Sequence, residues 1–340
     1  MEAPRNVLVM ELAGLGDNVH LLPALWEVRS RWPQARLHVM VNAAVAALFR
    51  LTPWVDQVWA YPTAPKPGLA GTLALARALR RERFDCVINT TGSDRSSILT
   101  WASGARQRIA RRPADGGPPG WAWLMTRVIA HPHYEEPMHV QKRRVVREAL
   151  GLAPLVDDGR PEFHVAIDAR LRREAGIAPA HDGTYIHVSP FTTSAARELP
   201  LAQLAELLGV LRERHPRLRV VLSCAPGARE TARLPQLVGL LREPPWKVFA
   251  GTLELDALAA VIEAAALNLS GDTGSLHLAY LANTPAVAWF RAHRGEREWI
   301  PHESHYRVVI AEGGESDALH GIPTPALVEA AAQVLAQARP

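Results

Sequence analysis

The sequence predicts an α/β protein built as two doubly wound domains, each a parallel sheet with helices on both faces. Three observations carry this expectation. Short continuous apolar runs, the first being Asn6-Val7-Leu8-Val9-Met10-Glu11-Leu12, alternate with longer stretches of helical spacing along nearly the whole chain, as βα units do. The rhythm pauses at the polar, proline-bracketed PLVDDGRP of residues 154–161 and then restarts. The length of 340 residues suits two domains of about 150 each, which places an N-terminal domain over 1–160 and a C-terminal domain over 161–340.

Taken in order, the turn Ala13-Gly14-Leu15-Gly16-Asp17-Asn18 is expected to lead into a helix over 19–31. Strands follow over 36–41, 57–60, 84–89 and 107–110, and helices over 43–49, 69–80, 96–102 and 138–150. The Gly/Pro stretch 112–120 breaks the pattern and reads as a surface or substrate-facing loop. In the second half, helices are expected over 168–175, 201–214, 226–241, 254–265 and 276–282. Strands are expected over 184–188, 218–223, 246–249, 265–269 and 284–290. Arg229, Glu230 and Arg233 fall on the exposed side of the 226–241 helix.

Composition narrows the class. Hydrophobic residues make up 48%, enough for two large cores, and no apolar run reaches the ~18 to 20 residues of a membrane span. The first residues lack the basic start and long apolar run of a signal peptide, so a cytoplasmic protein is expected. Cys86 and Cys224 form no CxxC and read as core thiols. The net charge is +4, and Lys occurs only at 66, 142 and 247, so the positive charge is nearly all Arg. Clusters at Arg77/Arg80/Arg81/Arg83, Arg106/Arg108/Arg111/Arg112 and Lys142/Arg143/Arg144/Arg147 suit an anionic partner or membrane surface, or are solvated faces. No aromatic-interleaved basic stripe points to nucleic acid. His131, His133 and His139 have no Cys or carboxylate at a metal-supporting spacing.

Three polar loops follow strands, where parallel sheets bind ligands. The first holds Gly14, Gly16, Asp17 and Asn18. It is not a GxGxxG loop, because Val19 takes the third glycine position, and the sequence has no GK[ST]. Asp17 reads either as a helix N-cap or as a general base. The second loop holds Thr192, Thr193 and Arg197. The third, Gly271-Asp272-Thr273-Gly274-Ser275-Leu276-His277, opens a helix, with Asp272, Thr273 and Ser275 placed to cap it and to face a ligand. Hydroxyls, an Arg and a helix N-terminus at one sheet edge suit a diphosphate. A carboxylate on the opposite domain suits deprotonation of an acceptor hydroxyl. No DxD is present (Asp157-Asp158 are adjacent), so sugar transfer from a nucleotide-sugar without a metal is the expected chemistry.

Two segments carry a specific resemblance. Leu12-Ala13-Gly14-Leu15-Gly16-Asp17-Asn18-Val19-His20-Leu21-Leu22-Pro23-Ala24-Leu25 and Gly271-Asp272-Thr273-Gly274-Ser275-Leu276-His277-Leu278-Ala279 are similar to the N- and C-terminal signatures of glycosyltransferase family 9, the bacterial heptosyltransferases. Thr192-Thr193 and Leu199-Pro200 stand at the matching place between them. The resemblance implies a GT-B fold, two Rossmann-like domains facing across a cleft, and inverting transfer from ADP-heptose to the lipopolysaccharide inner core. It implies Asp17 as general base and Thr192 and Thr193 on the diphosphate. Asp272, Thr273, Gly274, Ser275 and His277 would bind the donor, and Arg197 would stabilise the leaving group. Gly14, Gly16 and Asn18 form the acceptor-side loop. No cofactor or metal is expected. The partners are the nucleotide-sugar and an anionic glycolipid at the inner membrane surface, so peripheral association with the cytoplasmic membrane is compatible with this reading.

Two departures from the family pattern stand out. Arg197 replaces the family's usual Lys, and Phe290-Arg291-Ala292-His293-Arg294-Gly295 replaces a Gly-Pro-Thr-like segment. They keep two alternatives open: another nucleotide-sugar with a protein or natural-product acceptor, and a nucleotide-binding scaffold without catalysis.

Overall fold

A computed structural model describes residues 3–62, 65, 67–117, 119–130, 133–156, 163–177, 185–293, 295–300, 303–311 and 319–337. The chain divides into two compact units, Met1–Ala166 and Ile167–Pro340. Most of the expected linker, together with Asp157 and Asp158, lies outside the described residues, as do His131, Thr184 and Arg294.

The first unit carries β1 (Asn6–Glu11), α1 (Leu15–Arg31), β2 (Arg36–Asn42), β3 (Gln57–Tyr61), α2 (Leu69–Arg81), β4 (Cys86–Asn89), α3 (Asp94–Ala102), β5 (Gln107–Arg111), β6 (Arg127–Ile129) and α4 (Met138–Ala149). Its six strands are parallel, in the order β3-β2-β1-β4-β5-β6. Val7, Leu8, Val9 and Met10 are all fully buried, so β1 is covered on both faces, as its uninterrupted apolar run requires. Leu8 and Met10 pack with Met40, Leu79, Phe84, Val87 and Leu99. Each such side chain contributes about 1.5–3 kcal/mol on burial.

The second unit carries α5 (Ala169–Glu174), β7 (Tyr185–Ser189), α6 (Leu201–Arg214), β8 (Arg219–Cys224), α7 (Ala228–Leu240), β9 (Lys247–Ala250), α8 (Leu255–Glu263), β10 (Leu267–Gly271), α9 (Gly274–Ala282), β11 (Ala286–Arg291), α10 (Glu296–Trp299), β12 (Tyr306–Ala311) and α11 (Thr324–Gln337). Its parallel strands run β12-β11-β10-β7-β8-β9. Ile186, Val188, Leu267, Leu269, Val287 and Trp289 pack against Leu204, Leu207 and Leu208 of α6 and Leu327, Ala331 and Val334 of α11. Each sheet thus starts in its middle, grows outward one way, then returns to grow the other way. The reversal falls between β1 and β4 in one unit and between β7 and β10 in the other. Outside the carboxyl ends of those strand pairs is where doubly wound sheets bind ligands.

Local differences have local causes. Residues Ala43–Leu51 form a 3-10 helix rather than an α-helix, with the Asn42 side chain accepting from Ala44 N–H. Helix α1 begins at Leu15, one turn before the expected residue 19, because its N-cap is Gly14. Helix α9 likewise starts at Gly274, two residues before the expected start. Cys86 is a buried core thiol, pushed by burial to about 12. Cys224, expected in the core, is only half-buried at the end of β8.

Candidate active site

In the first unit the chain leaves β1 with Glu11 and enters α1 with Asp17 as the third helical residue. Asp17 is therefore not the N-cap. Its carboxylate accepts from the backbone N–H of Gly14, which is itself the cap residue, so the side chain closes back over the helix start. Asn18 is fully buried and donates through Nδ2 to the carbonyls of Gly14 at 2.8 Å and Ala13 at 3.3 Å. It fixes the turn rather than facing a ligand. Gly14 is exposed, and no atom of the described residues lies within 4 Å of where a Cβ there would stand.

Glu11 and Lys142 complete this corner, and the sequence did not single out either as a site residue. Glu11 is fully buried. Thr90 Oγ1 donates to its Oε2 at 2.7 Å and Thr91 Oγ1 to its Oε1 at 2.8 Å, from the loop after β4 across the reversal point. Lys142 of α4, also buried, donates to Glu11 Oε2, and its Nζ stands 3.4 Å from Asp17 Oδ1. Burial would raise the Glu11 carboxyl, but the Lys142 charge and three hydrogen bonds outweigh it and hold Glu11 below the ordinary glutamate value. Burial likewise opposes the charge on Lys142, and Glu11 and Asp17 together raise it. Asp17 goes the other way: burial, helped by the Glu11 charge, raises its carboxyl despite Lys142. One carboxylate is thus locked as an anion while its neighbour is made a stronger base than a free aspartate.

The basic cluster containing Lys142 is taken up by ion pairs within the first unit. Arg143 and Arg147 hold the two oxygens of Glu27 on α1 at 2.7 and 3.1 Å, and Arg144 pairs with Glu136 at 3.0 Å. The Glu27 pairs fasten α4 to α1. In the second cluster, Arg108 donates to the carbonyls of Leu124 and Ala105, and Arg111 is buried. His139 stacks on His20 with ring centroids 6.1 Å apart, and His133 Nε2 lies 2.9 Å from the Arg112 carbonyl oxygen. Among the described residues no group of three His, Cys, Asp or Glu side chains is placed to hold a metal ion.

In the second unit the loops after β7 and β10 meet at the other reversal point. Arg197 Nη1 donates to Asp272 Oδ2 at 3.1 Å, and His293 Nε2 stands 4.0 Å from the same oxygen. Asp272 is therefore an ion-pair partner and not a helix cap. Thr273 is the N-cap of α9, and its side chain makes no cap bond. Ser275 is also turned inward: its hydroxyl donates to Asn268 Oδ1 at 2.8 Å, where the buried His187 ring joins through Nδ1 at 2.8 Å. Burial pushes His187 down to about 4. His277 is buried, packs edge-on to Trp299 with centroids 5.4 Å apart, and is lowered by burial while Asp272 acts against that shift. Thr193 is exposed on the loop.

Thr192 is buried and structural as well as loop-forming. Its hydroxyl donates to the Ser194 carbonyl at 2.7 Å, and its N–H donates to Glu198 Oε1 at 3.0 Å. The Glu198 carboxylate, 2% exposed, also takes Arg229 at 2.7 Å and Arg233. Burial raises Glu198, but these donors more than offset it and leave it lowered. Arg229, exposed as expected, and Arg233, half-buried, also clamp the loop that carries Thr192 and Arg197. A cue was available in sequence: two arginines four apart on one helix, and a glutamate beside Arg197. Gly271 allows the close approach, since a Cβ there would lie 2.8 Å from Trp289 Nε1, 3.0 Å from Thr192 Cγ2 and 3.1 Å from the Arg197 carbonyl oxygen.

Comparison with known proteins places the chain in a family. The model of glycosyltransferase family 9 (heptosyltransferase) matches residues 72–320. The lipopolysaccharide core heptosyltransferase OpsX of Haemophilus influenzae is 24% identical over 296 residues, covering 86% of this chain and 80% of the relative. The glycosyl transferase family 9 structure from Veillonella parvula superposes with a TM-score of 0.83 at 18% identity, covering 99% of each chain. The Escherichia coli ADP-heptose lipopolysaccharide heptosyltransferase II gives 0.78 at 21% identity, covering 98% of this chain and 99% of the other. The two Rossmann-like units are those of the GT-B fold, and the chain belongs to glycosyltransferase family 9, the heptosyltransferases.

Proposed function

We propose that this glycosyltransferase moves a heptose from ADP-heptose to a hydroxyl of the lipopolysaccharide inner core, with inversion and without a metal. The observation that carries the reading is Asp17, a carboxyl raised by burial at the reversal point of the first sheet, beside a neighbour already fixed as an anion. As the acceptor oxygen attacks the anomeric carbon, Asp17 takes its proton. The new glycosidic bond forms while the bond from the anomeric carbon to the phosphate oxygen breaks, and ADP leaves with that electron pair. Arg197 uses one of its five donor N–H groups on Asp272 and keeps others for the diphosphate. The first-turn N–H groups of α9 face the same charge, with no side-chain cap competing. His277, Thr193, Asp272, Thr273 and Gly274 complete the donor side in this reading. The acceptor is an anionic glycolipid reached from the cytoplasmic face of the membrane.

The donor is supported by the likeness to the Escherichia coli ADP-heptose lipopolysaccharide heptosyltransferase II. One feature favours a different nucleotide-sugar with a protein or natural-product acceptor: the 290–295 segment departs from the family pattern and brings His293 close to Asp272. Calorimetry with ADP, UDP, GDP and dTDP in metal-free buffer separates the two. Selective ADP binding is expected, and another preference moves the assignment to the second reading. Asp17→Asn should then lower turnover with ADP-heptose and truncated lipopolysaccharide by about 10²–10⁴-fold at unchanged ADP affinity. A variant with near-normal turnover would remove Asp17 as the base. A wild-type chain that binds ADP but never releases it in an acceptor-dependent way would be a scaffold.

A further inference from the structure

The first unit has an apolar outer face that its own core does not explain. Leu69 and Leu73 on α2 are 79% and 45% exposed, Ile98 and Trp101 on α3 are 50% and 51% exposed, and Trp123 in the 3-10 turn Trp121–Leu124 is 90% exposed. Helix α3 packs against both α2 and that turn, so the three elements that carry the five side chains form one layer. Their spacing is four in one helix and three in the other, which puts each pair on a single helix face. The opposite faces are accounted for, since Leu75 and Leu79 of α2 and Leu99 of α3 pack into the core with Leu8 and Met10. Solvated helix faces are normally polar, and an exposed cluster of this size marks a contact surface.

Charge decides what the surface contacts. The three elements carry Arg77, Arg80, Arg81 and Arg95 against one acid, Asp94. Glu82, just beyond α2, is already taken by Arg36 at 3.4 Å. A second copy of this chain docked through the same face about a two-fold axis would set arginine against arginine. Leucines and tryptophans beside arginines, with almost no acid, match the interface of an anionic bilayer: the rings and aliphatic chains enter the headgroup boundary and the guanidiniums remain on the phosphates. We infer that the α2, α3 and 121–124 layer is a docking face for an anionic lipid surface. The inference rests on the proposed function in taking the acceptor to be lipid-anchored, and the face would hold the first unit where such an acceptor is presented.

The test uses the full-length protein and sedimentation with vesicles of phosphatidylcholine alone or with about one-third phosphatidylglycerol. Binding to the anionic vesicles is expected, roughly tenfold weaker on phosphatidylcholine alone and weakened again in molar salt, where the Debye length falls to about 3 Å. Trp101→Ala with Trp123→Ala should weaken anionic-vesicle binding by about tenfold or more, and Leu69→Ser should weaken it less. All three positions are exposed, and unchanged thermal melting would confirm intact folding. No wild-type binding to the anionic vesicles, or equal binding by the double-tryptophan variant, would overturn the inference. So would gel filtration showing that the variant loses a dimer instead. Transfer to a water-soluble acceptor fragment needs no bilayer: failure of that reaction strikes the proposed function, whereas failure of vesicle binding alone strikes the docking face.

Discussion

Lys142 Nζ lies 3.4 Å from Asp17 Oδ1 while it donates to the buried carboxylate of Glu11. The lysine therefore does not simply neutralise Asp17. It is engaged first by a better-buried partner, which leaves Asp17 near a positive charge yet raised by burial. Without Lys142, the Glu11 carboxylate would be stranded in the interior. Lys142→Ala should thus cost about 3–5 kcal/mol of stability, the usual effect of breaking a buried pair from one side. Urea unfolding measures it, and a loss below about 1 kcal/mol would show that Glu11 simply takes up a proton.

Glu11→Gln tests the same corner through the reaction. The negative charge of Glu11 contributes to raising Asp17, and its removal also frees Lys142 to pair with Asp17 more fully. Both changes lower the Asp17 carboxyl. A base works only when deprotonated, so the acidic limb of the kcat against pH profile should move to lower pH in Glu11→Gln. The weaker base should also lower the plateau. An unmoved limb would separate Glu11 from the titration of Asp17.

The sequence and the structure agree where the signal is local. The run of β1, the glycines after it and the helical spacing beyond residue 19 lie within thirty residues of one another, and they place Asp17 at a sheet edge without knowledge of the rest. What stayed hidden is non-local. Glu11 and Lys142 are 131 positions apart, one looking like the polar end of a strand and the other like part of a basic helix. Their pairing depends on α4 packing beside α1, which no window reveals. The same holds for Glu198 with Arg229 and Arg233, where two arginines of an outer helix face also clamp the loop that carries Arg197. Ser275 shows the complementary error. Its place in a Gly-rich polar turn suggests an outward hydroxyl, but Asn268, seven residues earlier on the adjoining strand, takes its hydrogen bond inward.

Arg197 differs from Thr192 and Ser275 in that its guanidinium is part exposed and, among the described residues, bound through Nη1 to Asp272. Arg197→Ala should weaken ADP binding by about tenfold, the scale of losing a charge-assisted contact. Arg197→Lys should recover part of that loss, because it restores the charge without the planar fork. Isothermal calorimetry at fixed ionic strength makes the comparison, and unchanged affinity in the alanine variant would remove Arg197 from the nucleotide site.

Acid should destabilise the second unit through His187. The ring is fully buried with Nδ1 on Asn268 and Nε2 on Ser223, and it is lowered from 6.5 to about 4 in the folded chain. Between those values the unfolded state binds the proton and the folded state does not, so stability rises with pH in this window. The contribution is fully present above the unfolded value and is lost as pH falls from about 6.5 to about 4. It totals about 3 kcal/mol at roughly 1.4 kcal/mol per pH unit. The urea midpoint measured across that range should fall steeply for the wild type and less steeply for His187→Asn. Parallel slopes would show that other groups carry the acid response.

Gly271 sits at the end of β10 with an ordinary backbone conformation, so its need for glycine is steric. The indole of Trp289, the Thr192 methyl and the Arg197 carbonyl all crowd the position a Cβ would take, at 2.8, 3.0 and 3.1 Å. Gly271→Ala should therefore cost about 1–3 kcal/mol by overpacking. It should also weaken ADP binding, since the displaced atoms include the loop that carries Arg197. Trp289→Phe removes the nearest of the three contacts. The double variant should be more stable than the sum of the single losses predicts, by about 0.5–1 kcal/mol or more. Strictly additive losses would mean that the strand end has room to relax, and that Gly271 does not set how closely the Thr192 to Arg197 loop approaches β10.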